Sequence, residues 1–486
     1  MQERIVPLFK QSIVYSLGGF ISPLIAIFMV PVYTRIFSTD DYGVISLVQI
    51  TMTFLAVFLI LGLDNASGRY YLDPEGDQDR KLTASTAMFF TVAMLVGGCL
   101  VFICFSEEMS HLIFKTGTYS KYLIIAAATL PFGYCTTLCL NLLRFNFRSV
   151  SYAVLSVANL LVSVSLIILL VVVWKWGITG VFAASLISSV LFFFIYLLIT
   201  KGYFSLSFST KRLKELLQYG VPLVPYGITV YLIQNCGRYF LSYFSTLDEV
   251  GLYSLGFQLA NVLTLLFVGT GLAWGPFVFS TYKEREIKPV YSKVMDYIVS
   301  ATFFVVIGLS FFSREILMVF TTSQYYGAYV VVPLLALHLA FYHVGLLMSF
   351  AIHIVKKTYH FTWISAVTAA VNIGFNFLLV PLYGMIGAAI ATLICSIVWC
   401  ILLISVSQRY YSINYNLASF LKILAVAVAM ISIGYFLLSD ISVANILIKV
   451  GLLGIFAVSV YIFKLVGKEE LEYLRKLAYK KIFKRR

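Results

Sequence analysis

Apolar runs of about twenty residues alternate with short polar stretches along the whole chain, and the polar stretches are rich in Lys and Arg. Crossing about 30 Å of hydrocarbon takes about 20 mostly apolar residues in a helix, because a lipid-facing backbone must satisfy its own hydrogen bonds. Fourteen stretches meet that requirement: 12–34, 43–63, 83–105, 119–143, 150–173, 178–200, 219–244, 250–272, 294–312, 326–350, 361–380, 385–406, 420–438 and 444–464. The pattern predicts an all-α membrane protein with 14 transmembrane helices. The first span has no small-residue cleavage site behind it, so it reads as a span and not as a removable signal peptide.

The pattern also repeats itself. FSTDDYGVISL from Phe37 returns as FSTLDEVGLYSL from Phe244, at an offset of 207 residues with Leu247 inserted. Phe105, Ser106 and Glu108 recur as Phe312, Ser313 and Glu315, and GITGVFAASLI from Gly177 is answered by GMIGAAIATLI from Gly384. That offset covers six spans, and an even number keeps both copies in the same orientation. The expected architecture is two parallel-repeat six-helix lobes, an N-lobe over 1–207 and a C-lobe over 208–414, with two extra helices and a basic tail over 415–486. Parallel halves of this kind bind cargo at their interface and rock around it.

Composition agrees with a membrane protein: 61% of residues are hydrophobic, against about 45–50% in soluble domains. Cytoplasmic loops collect Lys and Arg. With the N-terminus inside, 28 of the 35 basic residues fall in inside segments and five outside, with Arg238 and Lys449 left within spans. Both termini are therefore expected in the cytoplasm. The net charge of +14 is topological and implies no nucleic acid. All seven Cys fall in predicted spans and read as buried small hydrophobes; Cys135 and Cys139 share a helix face but lack the further ligands of a metal site. No cofactor is expected. The longest outside loop, from Ser106 to about Thr118, is too short to form a domain.

Two segments are basic and amphipathic. FSTKRLKELLQYG, between the lobes, places Leu213, Leu216 and Leu217 on one face, and GKEELEYLRKLAYKKIFKRR at the end has similar character. Both suit a membrane surface with anionic headgroups, as membrane-lipid contacts or plain topology anchors.

Ionisable residues within a span are costly and mark functional sites by default. Arg238, near the outer end of span seven, is the best candidate, and Arg35 closes span one on the same side; either can instead snorkel to the interface. On the inner side Asp64 and Arg69 follow span two, Arg144 and Arg148 close span four, and Lys356 and Lys357 close span ten. By the repeat the last two pairs stand at equivalent helix ends, where basic groups would gather an anionic headgroup such as a pyrophosphate, or serve topology alone. Asn372 and Asn376 share a face of span eleven, suited to sugar hydroxyls or to bonding across helices. His338 and His343 are proton carriers or packing groups. Pro23 and Pro31 in span one, and Pro222 and Pro225 in span seven, remove backbone hydrogen bonds from the opening helix of each lobe and read as gates.

The strings YTRIFSTDDYGVISL, KRLKELLQYGVPLVP, NCGRYFLSYFSTLDEVGLYSL and VNIGFNFLLVPLYGMIGAAIATLI, in this order, resemble the polysaccharide transporters (O-antigen or capsule flippases) of the multidrug/oligosaccharidyl-lipid/polysaccharide (MOP) exporter superfamily. The resemblance implies a flippase, not an enzyme. Its cargo would be undecaprenyl-pyrophosphate-linked oligosaccharide, moved from the inner to the outer leaflet of a bacterial cytoplasmic membrane through a cationic cavity between two lobes. Polymerase and glycosyltransferases of the same pathway are its implied partners. Arg238 matches the family's span-seven Arg, Arg69 the basic residue after span two, and Asn372 and Asn376 the span-eleven asparagines. The family often places Asp before that Arg; here Gly237 stands there. Proton or sodium entry is one available driving force, and the membrane potential is another. A cation-exporting drug transporter of the same superfamily and a membrane-embedded polymerase or ligase are the rival readings. The first wants intramembrane carboxylates, the second a large outer loop with catalytic residues.

Overall fold

A computed structural model describes residues 27–73, 76–284, 287–437 and 442–462. Pro23, the basic tail and most of the first expected span lie outside these residues. Within them the chain is helical and contains no strand. The helices are α1 (Ile27–Ile36), α2 (Thr39–Ile60), α3 (Leu63–Leu72), α4 (Asp77–Cys104), α5 (Ser106–Phe114), α6 (Ser120–Phe145), α7 (Ser149–Ile167), α8 (Gly177–Thr200) and α9 (Thr210–Gly220). They continue with α10 (Val224–Phe244), α11 (Leu247–Ala260), α12 (Thr264–Thr281), α13 (Ile287–Phe320), α14 (Val332–Met348), α15 (Phe350–Ile354), α16 (Tyr359–Tyr410), α17 (Leu417–Leu437) and α18 (Val443–Ile462).

Among the described residues eleven helical stretches are long and apolar enough to cross a membrane, against the fourteen expected. Part of the difference is physical. Gly384 adopts φ 53° and ψ −131° inside α16, so this 52-residue helix is two rods that cover expected spans eleven and twelve. The first and thirteenth expected spans coincide with shorter apolar helices, Ile27–Ile36 and Phe420–Tyr435.

Two compact units divide the chain. The first takes the described residues up to Leu255, with Thr321–Gly327 and Tyr359–Cys395. Its core gathers Leu63, Ala66, Tyr71, Met88, Cys139 and Leu216, so α3 and α9 close one end of the α4, α6 and α8 bundle. The amphipathic linker helix, α9, thus buries Leu216 in that core and leaves Lys211 and Lys214 exposed. Arg212 on α9 pairs with Asp79 and Glu215. Six of the seven Cys are buried, and Cys104 is exposed at the end of α4.

The second unit takes Gly256–Phe320, Ala328–Thr358 and the described residues from Ser396 on. Its centre is α14 with α15, buried over 83% of its most apolar window, whereas the α7 span is 17% buried and turns mostly outward. Gly345 lets α14 approach the Cys400 backbone, where a Cβ would come to 2.9 Å. His338 lies between Phe257 and Tyr342, and His343 stacks on Phe267 at 4.6 Å. On α18, Lys449 forms a buried ion pair with Glu315 of α13, so an appended helix is tied to the repeated body by charge. The repeat counterpart of that acid, Glu108, is exposed.

Local geometry repeats with the sequence. Gly177 and Gly384, equivalent by the offset, both have positive φ (59° and 53°) where a helix begins. At the end of α6 the αL residue Phe147 is followed by Arg148, whose N–H donates to Leu143 O at 2.9 Å; after α15 the αL residue Lys356 is followed by Lys357, whose N–H donates to Ile352 O at 3.1 Å. These two ends share their geometry at a separation of 209 residues, two more than the 207 of the repeat.

Candidate functional site

In the first unit the two copies of the repeated string touch each other. A Cβ on Gly43 would strike the Leu247 carbonyl, and one on Gly251 would strike the Thr39 carbonyl, so α2 and α11 cross with backbone against backbone. Ser254 Oγ donates to Ser46 Oγ at 2.8 Å, and Thr39 bonds Asp248. Gly43 with Gly251, and Ser46 with Ser254, are residues meeting their own repeat counterparts, which occurs on a two-fold axis of symmetry. Tyr325 Oη donates to Phe37 O at 3.0 Å, and Gln324 donates to the same carbonyl. The end that the charge bias assigns to the outside is therefore clasped shut within this unit.

Arg238 lies beside the clasp. Val221–Leu223 forms a 3-10 turn, with Pro222 inside it and Pro225 in the first turn of α10, where a missing N–H costs little. From that start α10 carries Arg238 into the interior with 7% of its surface exposed. Its Nη1 donates to Asn235 Oδ1 at 2.8 Å, and the guanidinium lies 5.9 Å from the centroid of the Tyr253 ring. Tyr42, Tyr231 and Tyr239 are within electrostatic reach. Phenol oxygens and aromatic faces are suited to a desolvated cation. Tyr239 Oη lies 3.1 Å from Thr51 Oγ1 and 3.4 Å from Tyr231 Oη. Beyond these phenols opens an apolar groove of about 680 Å³ lined by Phe54, Phe58, Phe102, Phe240 and Phe377 among others.

Gly237 faces α16. A Cβ there would meet Asn376 Oδ1 at 3.4 Å, Ala388 Cβ at 3.5 Å and Tyr253 Oη at 3.5 Å, ordinary contact distances, so a larger side chain would point at the buried Asn376 and Tyr253. Asn372 and Asn376 are fully buried against this face of α10. Asn372 Nδ2 donates to Ile233 O at 2.8 Å and Asn376 Nδ2 to Asn372 O at 2.8 Å, so both bond across or along helices. Asn376 Oδ1 is buried with no partner among the described residues.

The other candidates lie elsewhere. Arg35 is exposed at the end of α1, and Pro31 is partly buried within that helix. Asp64 and Arg69 are exposed on α3. Asn146 donates to Tyr71 Oη at 2.7 Å, and Gly68 packs on the Phe145 ring, which seats α3 against the end of α6. Arg69, Arg144 and Arg148 therefore stand on neighbouring elements at one end of the first unit, all exposed, with Arg148 over the Tyr203 ring at 5.7 Å. Lys356 and Lys357 are exposed in the second unit, Lys357 over Tyr410 at 4.8 Å.

Two charged residues escaped the sequence reading. In the sequence Arg80 is one of the many basic residues of the inside segments, yet its Nε is buried without a hydrogen-bond partner among the described residues, and its charge acts on Tyr71. Burial pushes the Tyr71 phenol up, against the pull of the Asn146 hydrogen bond and of Arg80. Asp296 falls inside the ninth expected span and lines a cavity of the second unit. An intramembrane carboxylate is the signal that finds it in the sequence.

The chain matches the family described as Polysaccharide biosynthesis protein over residues 8–282. A relative from Haemophilus influenzae, "Lsg locus putative protein 1", is 24% identical over 288 residues, which is 57% of this chain and 68% of the relative. Among solved structures, "Lipid II flippase MurJ, inward closed conformation" superposes with a TM-score of 0.76 at 18% identity, covering 93% of this chain and all of that one. A "multidrug resistance MATE family transporter of the MOP superfamily", inward-facing, superposes at 0.64 with 15% identity, covering 84% of this chain and 99% of that one. These likenesses establish the fold as the two-lobe transporter fold. With a family match over more than half its length, the chain belongs to the polysaccharide biosynthesis protein family, and it carries the fold of multi-pass membrane transporters.

Proposed function

We propose that the protein flips undecaprenyl-pyrophosphate-linked oligosaccharide repeat units from the inner to the outer leaflet of a bacterial cytoplasmic membrane, for O-antigen, capsule or exopolysaccharide synthesis. Both termini lie in the cytoplasm, and residues 1–207 and 208–414 act as the two rocking lobes, with 415–486 appended. The observation that carries the reading is Arg238, a buried guanidinium gathered among phenols inside a membrane-spanning helix. A buried cation suits an anionic cargo and opposes a cationic drug.

In this reading the inner basic residues, Arg69, Arg80, Arg144 and Arg148 in the first unit and, separately, Lys356 and Lys357 in the second, attract the pyrophosphate. The outer clasp holds the carrier closed to the outside while the cargo enters. Release of the clasp, with bending at Pro31, then opens the outer side. An inside-negative potential favours outward movement of an anion by about 2.3 kcal/mol per charge per 100 mV. The named relative "Lipid II flippase MurJ" handles a lipid cargo, which favours the glycolipid over the drug among the rival substrates.

The test is reconstitution into vesicles with a labelled lipid-linked oligosaccharide. Arg238→Ala is expected to slow flipping by about tenfold or more, since a lost charge-assisted bond to cargo costs about 1.5–3 kcal/mol. Arg238→Lys retains part of the rate. A variant as fast as the unmodified protein removes Arg238 from the site, and intact protein that exports cationic dyes while ignoring the glycolipid favours the drug-exporter reading.

A further inference from the structure

Asp296 sits on α13 in the string SKVMDYIVS and borders a cavity of about 460 Å³ in the second unit, enclosed by α13, α14, the second rod of α16 and α17. Among the described residues that line the cavity it is the one formally charged. Most of the lining is hydrocarbon, with Val299, Phe341, Val344 and Phe420 among it, and Ser405, Tyr415 and Asn416 are further polar residues of the lining. Tyr415 Oη is buried without a hydrogen-bond partner among the described residues. Lys293, one turn earlier on α13, is exposed and interacts electrostatically with Asp296.

This arrangement selects its occupant. Apolar walls leave sugar hydroxyls without partners, so the occupant carries a hydrocarbon chain. A carboxylate in the wall of an apolar cavity is stabilised by a cation and repels an anionic lipid. A primary ammonium donates hydrogen bonds to a carboxylate and to a phenol oxygen; a quaternary ammonium has no N–H to give. The adjacent Lys293 supplies the charge for a phosphate. At 1.5 Å per residue, Asp296 lies about 14 Å along α13 from Ile287, on the side where Lys288 and Lys293 mark the headgroup zone.

We propose that this cavity holds one phospholipid of the phosphatidylethanolamine type from the inner leaflet. Its ammonium rests on Asp296, its phosphate is turned toward Lys293, and one acyl chain lies between α14 and α17. The lipid then joins the appended helix α17 to the repeated body, as the Lys449–Glu315 pair joins α18. The proposal is independent of the transported cargo, because its readout is lipid retention and not flipping.

The experiment is native mass spectrometry of the purified full-length protein in detergent, titrated separately with phosphatidylethanolamine, phosphatidylcholine and phosphatidylglycerol. Phosphatidylethanolamine is expected to be retained about tenfold more tightly than either other lipid, and Asp296→Asn to abolish that preference. Val344→Phe, which fills the cavity without changing charge, should lower phosphatidylethanolamine retention as well; it keeps the test available if Asp296→Asn fails to fold. Equal retention of the three lipids overturns the proposal. So does a preference that survives both substitutions, or a polyprenyl phosphate that displaces phosphatidylethanolamine equally well from wild type and from Asp296→Asn.

Discussion

At the scale of single residues, the glycines show how much a missing side chain decides. Gly251 presses on the Thr39 carbonyl, and Gly43 on the Leu247 carbonyl. Neither neighbour is the flexible end of a side chain, so an added Cβ must push backbone apart. Gly251→Ala is expected to destabilise by about 1–3 kcal/mol, the usual range for overpacking. Gly308→Ala is the control: nothing lies within 4 Å of that Cβ, so the gain in helix propensity of about 1 kcal/mol should leave it neutral or slightly stabilised. Thermal melts of both variants in detergent check the contrast, and equal melting temperatures would disprove the close crossing.

Among the elements, the break in α16 has a defined clamp. Glu249, at the start of α11, accepts a hydrogen bond from the Met385 N–H at 2.9 Å and from Ser245 Oγ at 2.6 Å. A carboxylate at the first N–H of a new helical rod satisfies an orphan donor and complements the helix dipole. Gly384 supplies the positive φ that the break requires, and an added Cβ would run into the Glu249 carboxylate. Glu249→Ala should therefore cost about 1.5–3 kcal/mol, the range for a hydrogen bond to a charged group, and should expose the 383–385 joint to proteolysis. Unchanged cleavage at that joint would show that the break holds without its clamp. The α9 helix is the opposite case, because its apolar face found a protein core instead of a lipid surface.

For the whole molecule the prediction concerns the clasp. Ser46 and Ser254 are repeat counterparts whose hydroxyls lie 2.8 Å apart. Cysteines at both positions, in a background freed of the seven native ones, should cross-link on oxidation. If the outer clasp must open in each cycle, the cross-linked protein stops flipping and reduction restores it. Undiminished flipping by the cross-linked form would mean that α2 and α11 never part, and that alternating access through this end is wrong.

Much of the fold was legible in one dimension. Hydrocarbon thickness sets the length of an apolar run, so the helices followed from the apolar pattern, and an offset of 207 residues announced a duplication whose shared helix ends and positive-φ glycines the structure displays. Asn372 and Asn376 were readable as sharing a face, because helical periodicity alone determines that. What remained open was the partner of each face. Periodicity cannot say whether Arg238 snorkels or turns inward to four tyrosines from α2, α10 and α11, or whether two asparagines meet cargo or a neighbouring backbone. Nor does it say that Arg80 is partly buried beside Tyr71, or that Asp296 opens on a cavity. The sequence by itself determined which segments enter the membrane and that they form two copies, since both follow from local composition and internal likeness. Only the tertiary structure decided which charges are desolvated and what surrounds them, because those depend on helices distant along the chain packing within a few ångströms of one another.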